Sequence, residues 1–190
     1  MKKIVLASLL LCLGLTGCVS DDPSTIVVDD NGYVHHTIHF LKDKRGRDYF
    51  PMQVTPTGKK QFVFDPKAYA WAAYDVDGQR VMTGSASGGM DFCEDVGQPC
   101  RTVTGTFKVY NKRGADCRSG EYPVETYGGA KMPYCMYFYQ GYTIHAAYEV
   151  PEANTSHGCV RVLPSAAKWL NEEFMTRGTT VIILPYADEK

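Results

Sequence analysis

Two runs between residues 142 and 162 decide how this chain reads: Tyr142-Thr143-Ile144-His145 and Asn154-Thr155-Ser156-His157-Gly158-Cys159-Val160-Arg161-Val162. A thiol stands two residues after His157 and fourteen after His145. The thiolate is the reactive form of cysteine. With an ordinary pKa near ~8.5, only a few per cent is ionised at neutral pH, so a neighbouring imidazole is the usual activator. Gly158 lets the backbone turn tightly beside the sulfur. The Gly158 and Cys159 amides are the expected oxyanion donors there, each worth about 3 kcal/mol. Both histidines compete for the role of base, since residues two apart on an extended chain also point the same way. Arg161, permanently charged and able to make two parallel hydrogen bonds, suits a substrate carboxylate. A surface ion pair is its plain alternative, as an unreactive buried thiol is for Cys159.

Outward from these runs, hairpin and strand signals recur. Gln61–Phe64, Ala68–Tyr74 and Arg80–Ser85 are apolar, β-branched or aromatic, with the turn Asp75-Val76-Asp77-Gly78-Gln79 joining the last two. Ser85 to Arg101 is Gly-rich and polar, Gly105 to Tyr110 predicts a strand, and Asn111 to Tyr127 a loop. Met136–Phe138 and Tyr142–Ala146 flank Gln140-Gly141, a second hairpin whose far strand carries His145. Pro164 suits the first turn of a helix running to about Met175, with Ala167, Leu170 and Phe174 as its buried stripe. Thr180–Leu184 predicts a closing strand. Nearer the start, Tyr33–Leu41 and Asp48–Val54 predict strands around the charged turn Lys42–Arg47, and Thr55–Lys60 is the joint to the main domain. His35 and His39 on one strand face lie ~13 Å apart, too far to share an ion, so no metal is expected. Many short strands with one principal C-terminal helix predict a mainly β fold, a β-sandwich or partly open barrel.

The chain has 190 residues, 44% of them hydrophobic, and a formal charge of −1. That is enough for one core, and without a basic stripe there is no nucleic-acid partner to expect. Met1-Lys2-Lys3 followed by Ile4–Leu15 reads as an export signal, too short to span a bilayer. Leu15-Thr16-Gly17-Cys18 resembles a bacterial lipobox, whose cysteine is lipidated, which implies a membrane anchor at the new N-terminus. Val19 after Cys18 then favours the periplasmic face of the outer membrane over the inner. Apart from Cys12 and Cys18, five cysteines remain: Cys93, Cys100, Cys117, Cys135 and Cys159. Two disulfides and one free thiol, the motif cysteine, is the simplest accounting in an oxidising compartment. Three pairings are open; the local ones, Cys93–Cys100 and Cys117–Cys135, are preferred, and would stabilise by ~2.5 and ~3 kcal/mol.

The two opening runs together resemble the signature of the L,D-transpeptidases, the YkuD family, which cross-link peptidoglycan through a catalytic cysteine. The similarity extends through Leu163–Leu170 and Arg177–Val181, and upstream to Thr102-Val103-Thr104-Gly105-Thr106-Phe107. It implies a YkuD-like fold in which Cys159 attacks the carbonyl of the third residue of a tetrapeptide stem, giving a thioester that an amine acceptor resolves. It implies His145 as base, the Ala146 carbonyl orienting its ring, and His157 lining the pocket. Ser156, Tyr142 and Tyr134 join Arg161 as expected substrate contacts; Tyr137, Phe138 and Tyr148 are further aromatics that could line a groove, with core packing as the alternative for most of the five aromatics. No cofactor is needed, a monomer is expected, and carbapenems are implied as acylating agents. With water as acceptor the enzyme would be an L,D-carboxypeptidase; a low-turnover lipoprotein that binds murein is the rival outside catalysis. The sequence departs from the family in three places. Only ten residues separate His145 from Ser156, Ala146 stands where many relatives have Gly or Ser, and Arg161 where some have Asn. The resulting division is 1–18 signal segment, 19–58 tether and flanking hairpin, 59–186 catalytic domain and 187–190 tail.

Overall fold

A computed structural model of the chain describes residues 26–28, 34–36 and 38–189. The signal segment, Cys18 and the tether Ser20–Ser24 lie outside the described residues. Strands β1 (Ile26–Val28) and β2 (Val34–His36) form a small antiparallel ribbon. Then come β3 (Gln61–Asp65), β4 (Ala70–Tyr74), β5 (Arg80–Ser87), β6 (Gly105–Lys108), β7 (Asn111–Lys112), β8 (Met136–Tyr139), β9 (Tyr142–Ala146), β10 (Val160–Val162) and β11 (Thr180–Ile183). These nine pair in the order β6-β11-β3-β4-β5-β10-β9-β8-β7. A helix, α1 (Pro164–Trp169), continues as a wider π turn over Leu170–Phe174.

The sheet curls because its two edges are one continuous piece of chain. After β6, Val109 N–H donates to the Thr179 carbonyl on one side and Tyr110 N–H to the Tyr137 carbonyl on the other. Phe107 of β6 packs on Phe138 and Tyr139 of β8, ring centres 5.5 and 5.1 Å apart. The result is the expected mainly β fold, a half-barrel whose concave side is filled by one helix. In β4, Trp71 and Ala73 face the main core, while Ala70, Ala72 and Tyr74 face a second, smaller cluster closed by Phe50. Burial on both faces is why Ala70-Trp71-Ala72-Ala73-Tyr74 lacks a polar alternation. Ala166, Ala167, Leu170 and Phe174 form the helix stripe in the main core.

Two expectations are corrected and a third, the C-terminal helix, is refined. Asp48–Val54 is not a return strand: Gly46 at φ +78° starts a turn, Phe50 is drawn into the small core, and Pro51 has no N–H for a ladder. Instead, Met52 and Val54 bond to the Arg80 and Gly78 end of the β4–β5 hairpin. Within the predicted strand Tyr33–Leu41, of which Tyr33 and Thr37 lie outside the described residues, Val34–His36 is strand, but His39 Nδ1 accepts from Leu41 N–H and starts a 3₁₀ turn at Phe40. The predicted helix to Met175 ends as a π turn, where Met175 N–H reaches back to the Leu170 carbonyl at 2.7 Å. There the ammonium groups of Lys60 and Lys112 donate to the Phe174 and Met175 carbonyls at 3.1 and 2.7 Å, satisfying helix-end acceptors.

Tyr186 locks the strap that follows β5. Its hydroxyl donates to the Gly89 carbonyl at 2.9 Å and accepts from Thr102 N–H at 3.0 Å, both buried. Tyr186→Phe strands both partners, and urea unfolding is expected to register a loss of about 1–3 kcal/mol.

Candidate active site

The site is set by a parallel pairing of β9 and β10, with Val160 beside Ile144, Arg161 beside His145 and Val162 beside Ala146. Side chains alternate across a strand. Ile144, Val160 and Val162 therefore enter the main core, while Thr143, His145 and Arg161, with Cys159 just ahead of β10, face the opposite side. There a cleft of about 600 Å³ opens, bordered by Tyr142, His145, His157, Cys159 and Arg161. Both disulfides, Cys93–Cys100 and Cys117–Cys135, are formed, and the loops they close supply the rim. Cys159 is the free thiol among the described residues.

The turn carrying the sulfur is stitched on both sides. Ser156 N–H donates to the Gly88 carbonyl, and Met90 N–H donates to the Ser156 carbonyl. The Ser156 hydroxyl donates to the Cys159 carbonyl at 2.6 Å and accepts from Gly158 N–H at 3.0 Å. Gly158 sits at φ +120°, and a β-carbon there would lie 2.7 Å from the Tyr142 ring. Glycine is thus required for both backbone shape and room.

His145 is buried, and its Nδ1–H donates to the Ala146 carbonyl at 2.8 Å. This bond selects the tautomer whose Nε2 carries the free lone pair. Burial, opposed by the carbonyl and reinforced by the Arg161 charge, pushes the ring down to about 4, so it is neutral at ordinary pH. Burial likewise pushes the Cys159 thiol up, against the Thr143 hydroxyl, which donates to Sγ at 3.4 Å, and the Arg161 charge. The resting pair is therefore a neutral thiol and a neutral imidazole. Arg161 is half-buried and, among the described residues, has no carboxylate within ion-pair distance. His157 points the other way: Nε2 meets Asp95 Oδ2 at 2.7 Å, and its ring lies 4.7 Å from that of Tyr122. Cys93, Asp95 and His157 cluster closely enough to suggest a metal triad, but the Cys93 sulfur is tied up in its disulfide and offers no thiolate.

The model of the L,D-transpeptidase catalytic domain matches residues 59–183. The chain belongs to that family. Among solved structures, an L,D-transpeptidase from Xylanimonas cellulosilytica is 29% identical with a TM-score of 0.60, the match covering 73% of this chain and 66% of that one. An L,D-transpeptidase from Stackebrandtia nassauensis is 22% identical (TM-score 0.59, covering 76% and 64%). L,D-transpeptidase 3 from Mycobacterium tuberculosis, in complex with a faropenem-derived adduct, is 20% identical (TM-score 0.55, covering 67% and 60%). The last two show the fold alone. The chain spans less than two thirds of the length of these solved proteins, and no curated protein matches it.

As an L,D-transpeptidase family member, the chain brings Cys159, His145, His157, Arg161 and Tyr142 to one cleft, with the Ala146 carbonyl behind the His145 ring. Several sequence expectations are corrected. Gly158 N–H is already given to Ser156, so it is not a free oxyanion donor in this conformation. Ser156 is buried and pins the nucleophile turn rather than facing substrate. Tyr134 packs against the main core beneath the Lys168 ammonium and does not border the cleft. Phe138 is buried in the core, and Tyr148 stacks on His35; Tyr137 does border the cleft. Sequence reasoning missed Thr143, Asp95, Glu121 and Tyr122. Thr143 was recoverable, since it precedes His145 by two and so shares its face; the others come from loops with no periodic signal.

Because the sulfur is protonated at rest, alkylation of Cys159 by iodoacetamide is expected to rise steadily from pH 6 upward, with a midpoint above the ordinary thiol range. Thr143→Val, which removes the hydroxyl donor, moves that midpoint higher still. A flat, fast plateau below pH 7 would indicate a thiolate–imidazolium pair instead.

Proposed function

We propose that this chain is a peptidoglycan L,D-transpeptidase that works through Cys159 and His145. The observation that carries the reading is the Nδ1–H of His145 held by the Ala146 carbonyl, which leaves Nε2 basic in the same cleft as the free thiol. In acylation, Nε2 takes the thiol proton as sulfur bonds to the carbonyl carbon of the third stem residue. The tetrahedral oxyanion collapses, the bond to the terminal D-alanine nitrogen breaks, and that amine leaves with the proton from His145. The depressed ring pKa is offset as sulfur becomes anionic beside it, since an adjacent negative charge stabilises the imidazolium. Arg161 takes the carboxylate of the departing residue. With the Gly158 amide engaged, the Cys159 amide is the remaining oxyanion donor of the expected pair. The two disulfides support an oxidising compartment, and with it the bacterial envelope. Attachment through Cys18 to the outer membrane, and a monomeric state, belong to the same proposal.

Mass spectrometry of the purified domain with a disaccharide-tetrapeptide or a carbapenem is expected to give a thioester adduct on Cys159. Cys159→Ala gives none. His145→Ala is expected to slow acylation by roughly 10²- to 10⁴-fold, the usual weight of a general base, and His157→Ala by far less. Loss confined to His157→Ala would reverse the assignment. The acid limb follows the sign of the ring shift: since His145 is neutral above about 4, acylation persists at pH 5 and falls only as the pH drops through that value. A limb centred near 6.5, measured with a carbapenem, would contradict it.

A further inference from the structure

Three charged side chains border the cleft, Glu121, Lys131 and Arg161, and Glu121 is the one carboxylate among them. Glu121 borders the cleft on the loop closed by Cys117–Cys135, next to Tyr122 and across from Tyr142. It is exposed, and among the described residues its carboxylate has no ion-pair partner. Its own N–H is anchored on the Ser119 hydroxyl at 3.1 Å, and the loop is held by Ser119 N–H on the Ala130 carbonyl and Gly129 N–H on the Ser119 carbonyl. The carboxylate is thus presented at a fixed part of the rim. It is close enough to raise the Cys159 thiol, whereas Arg161 lowers it. An exposed carboxylate held on the rim of the cleft that contains the thiol, with no ion pair of its own among the described residues, is open to a cation that enters the cleft.

We propose that Glu121 receives the amine acceptor of the transpeptidase reaction, in its ammonium form. This rests on the thioester reading above and adds the residue that positions the second substrate. Arg161 and Glu121 then divide the work: the anionic end of the leaving residue departs past the guanidinium, and the cationic acceptor arrives at the carboxylate. The bound ammonium first loses one proton to water. The neutral amine attacks the thioester carbonyl, a C–N bond forms, and the C–S bond breaks. The second amine proton passes through His145 Nε2 to the sulfur, which regenerates the neutral thiol and imidazole. Water, the competing acceptor, has no charge for Glu121 to hold.

The test is the partition of one intermediate. The protein is acylated with a tetrapeptide stem, and the ratio of cross-linked dimer to hydrolysed tripeptide is read for the native chain and for Glu121→Gln. This ratio does not depend on how fast the thioester forms. Glu121→Gln is expected to lower it about two- to five-fold, the range of a solvent-exposed charge pair, and Glu121→Lys to lower it further. Both variants are expected to acylate with a carbapenem at least as fast as the native chain, because a charge opposing the thiolate has gone. An unchanged ratio, or a fall explained wholly by slower acylation, would overturn the assignment. If the native chain forms no carbapenem adduct, the thioester reading itself fails, and that outcome is told apart before any ratio is measured.

Discussion

The parallel register of β9 and β10 is the constraint on which the site depends. It sets Arg161 beside His145 and, one step earlier, the sulfur beside Thr143. Side chains alternate along a strand, so a slip of one residue would turn His145 into the core and bring Ile144 to the thiol. Such a slip is opposed on both faces. Ile144, Val160 and Val162 are fully buried; a slip of β9 would expose Ile144 and a slip of β10 would expose Val160 and Val162, at about 1.5–3 kcal/mol each. β10 is also bonded on its other side to β5, through Arg161 opposite Ser87 and Val162 opposite Ala86. The geometry of the cleft is therefore held by core packing more than by contacts within it.

From this follows the electrostatic character of the site. A strand in the middle of a sheet places its polar face close to the protein interior, and both His145 and Cys159 feel that burial in the direction of their neutral forms. Arg161, introduced by the same register, opposes protonation of the ring and favours the thiolate. Thr143 acts on the sulfur in the same sense as Arg161. The pair rests uncharged and, in the mechanism proposed above, becomes charged only during reaction, when the two ions that form stabilise each other. Such a site exposes little thiolate to stray oxidants or electrophiles, which is useful to a free cysteine outside a reducing compartment.

How much of this the sequence revealed follows from the range of the forces involved. The β4–β5 and β8–β9 hairpins rest on turn residues between apolar, β-branched and aromatic runs, and both were legible. So was the pairing Cys93–Cys100 and Cys117–Cys135, because each bridge closes a short loop. Strand β10 was not read as a strand: three residues carry no period, and it exists only because β5 and β9 flank it. The Asp48–Val54 segment has strand-like composition, yet Phe50 finds a pocket between Ala70, Ala72 and Tyr74 and pulls the chain out of line. Within the site, the role of Ser156 was hidden for a similar reason. Its neighbours in sequence suggest a substrate contact, but the Gly88–Met90 strap holds it facing inward.

The rim explains what the disulfides contribute beyond stability. Gln98–Cys100 belongs to one bridged loop, and Ser119–Tyr122 with Ala130–Met132 to the other. His157 joins them across the cleft, bonded to Asp95 of the first and packed on Tyr122 of the second. A histidine so engaged is poorly placed to take a proton from sulfur, but well placed to fix the distance between the two loops. Glu121 rides on the second of them, immediately beside the residue that His157 touches. The spacing of the rim charges relative to the sulfur is thus set by covalent bridges and one histidine, while the register of β9 and β10 sets the sulfur and His145. Thiol and rim are built on separate supports, so a change in the bridged loops leaves the strand that carries His145 undisturbed.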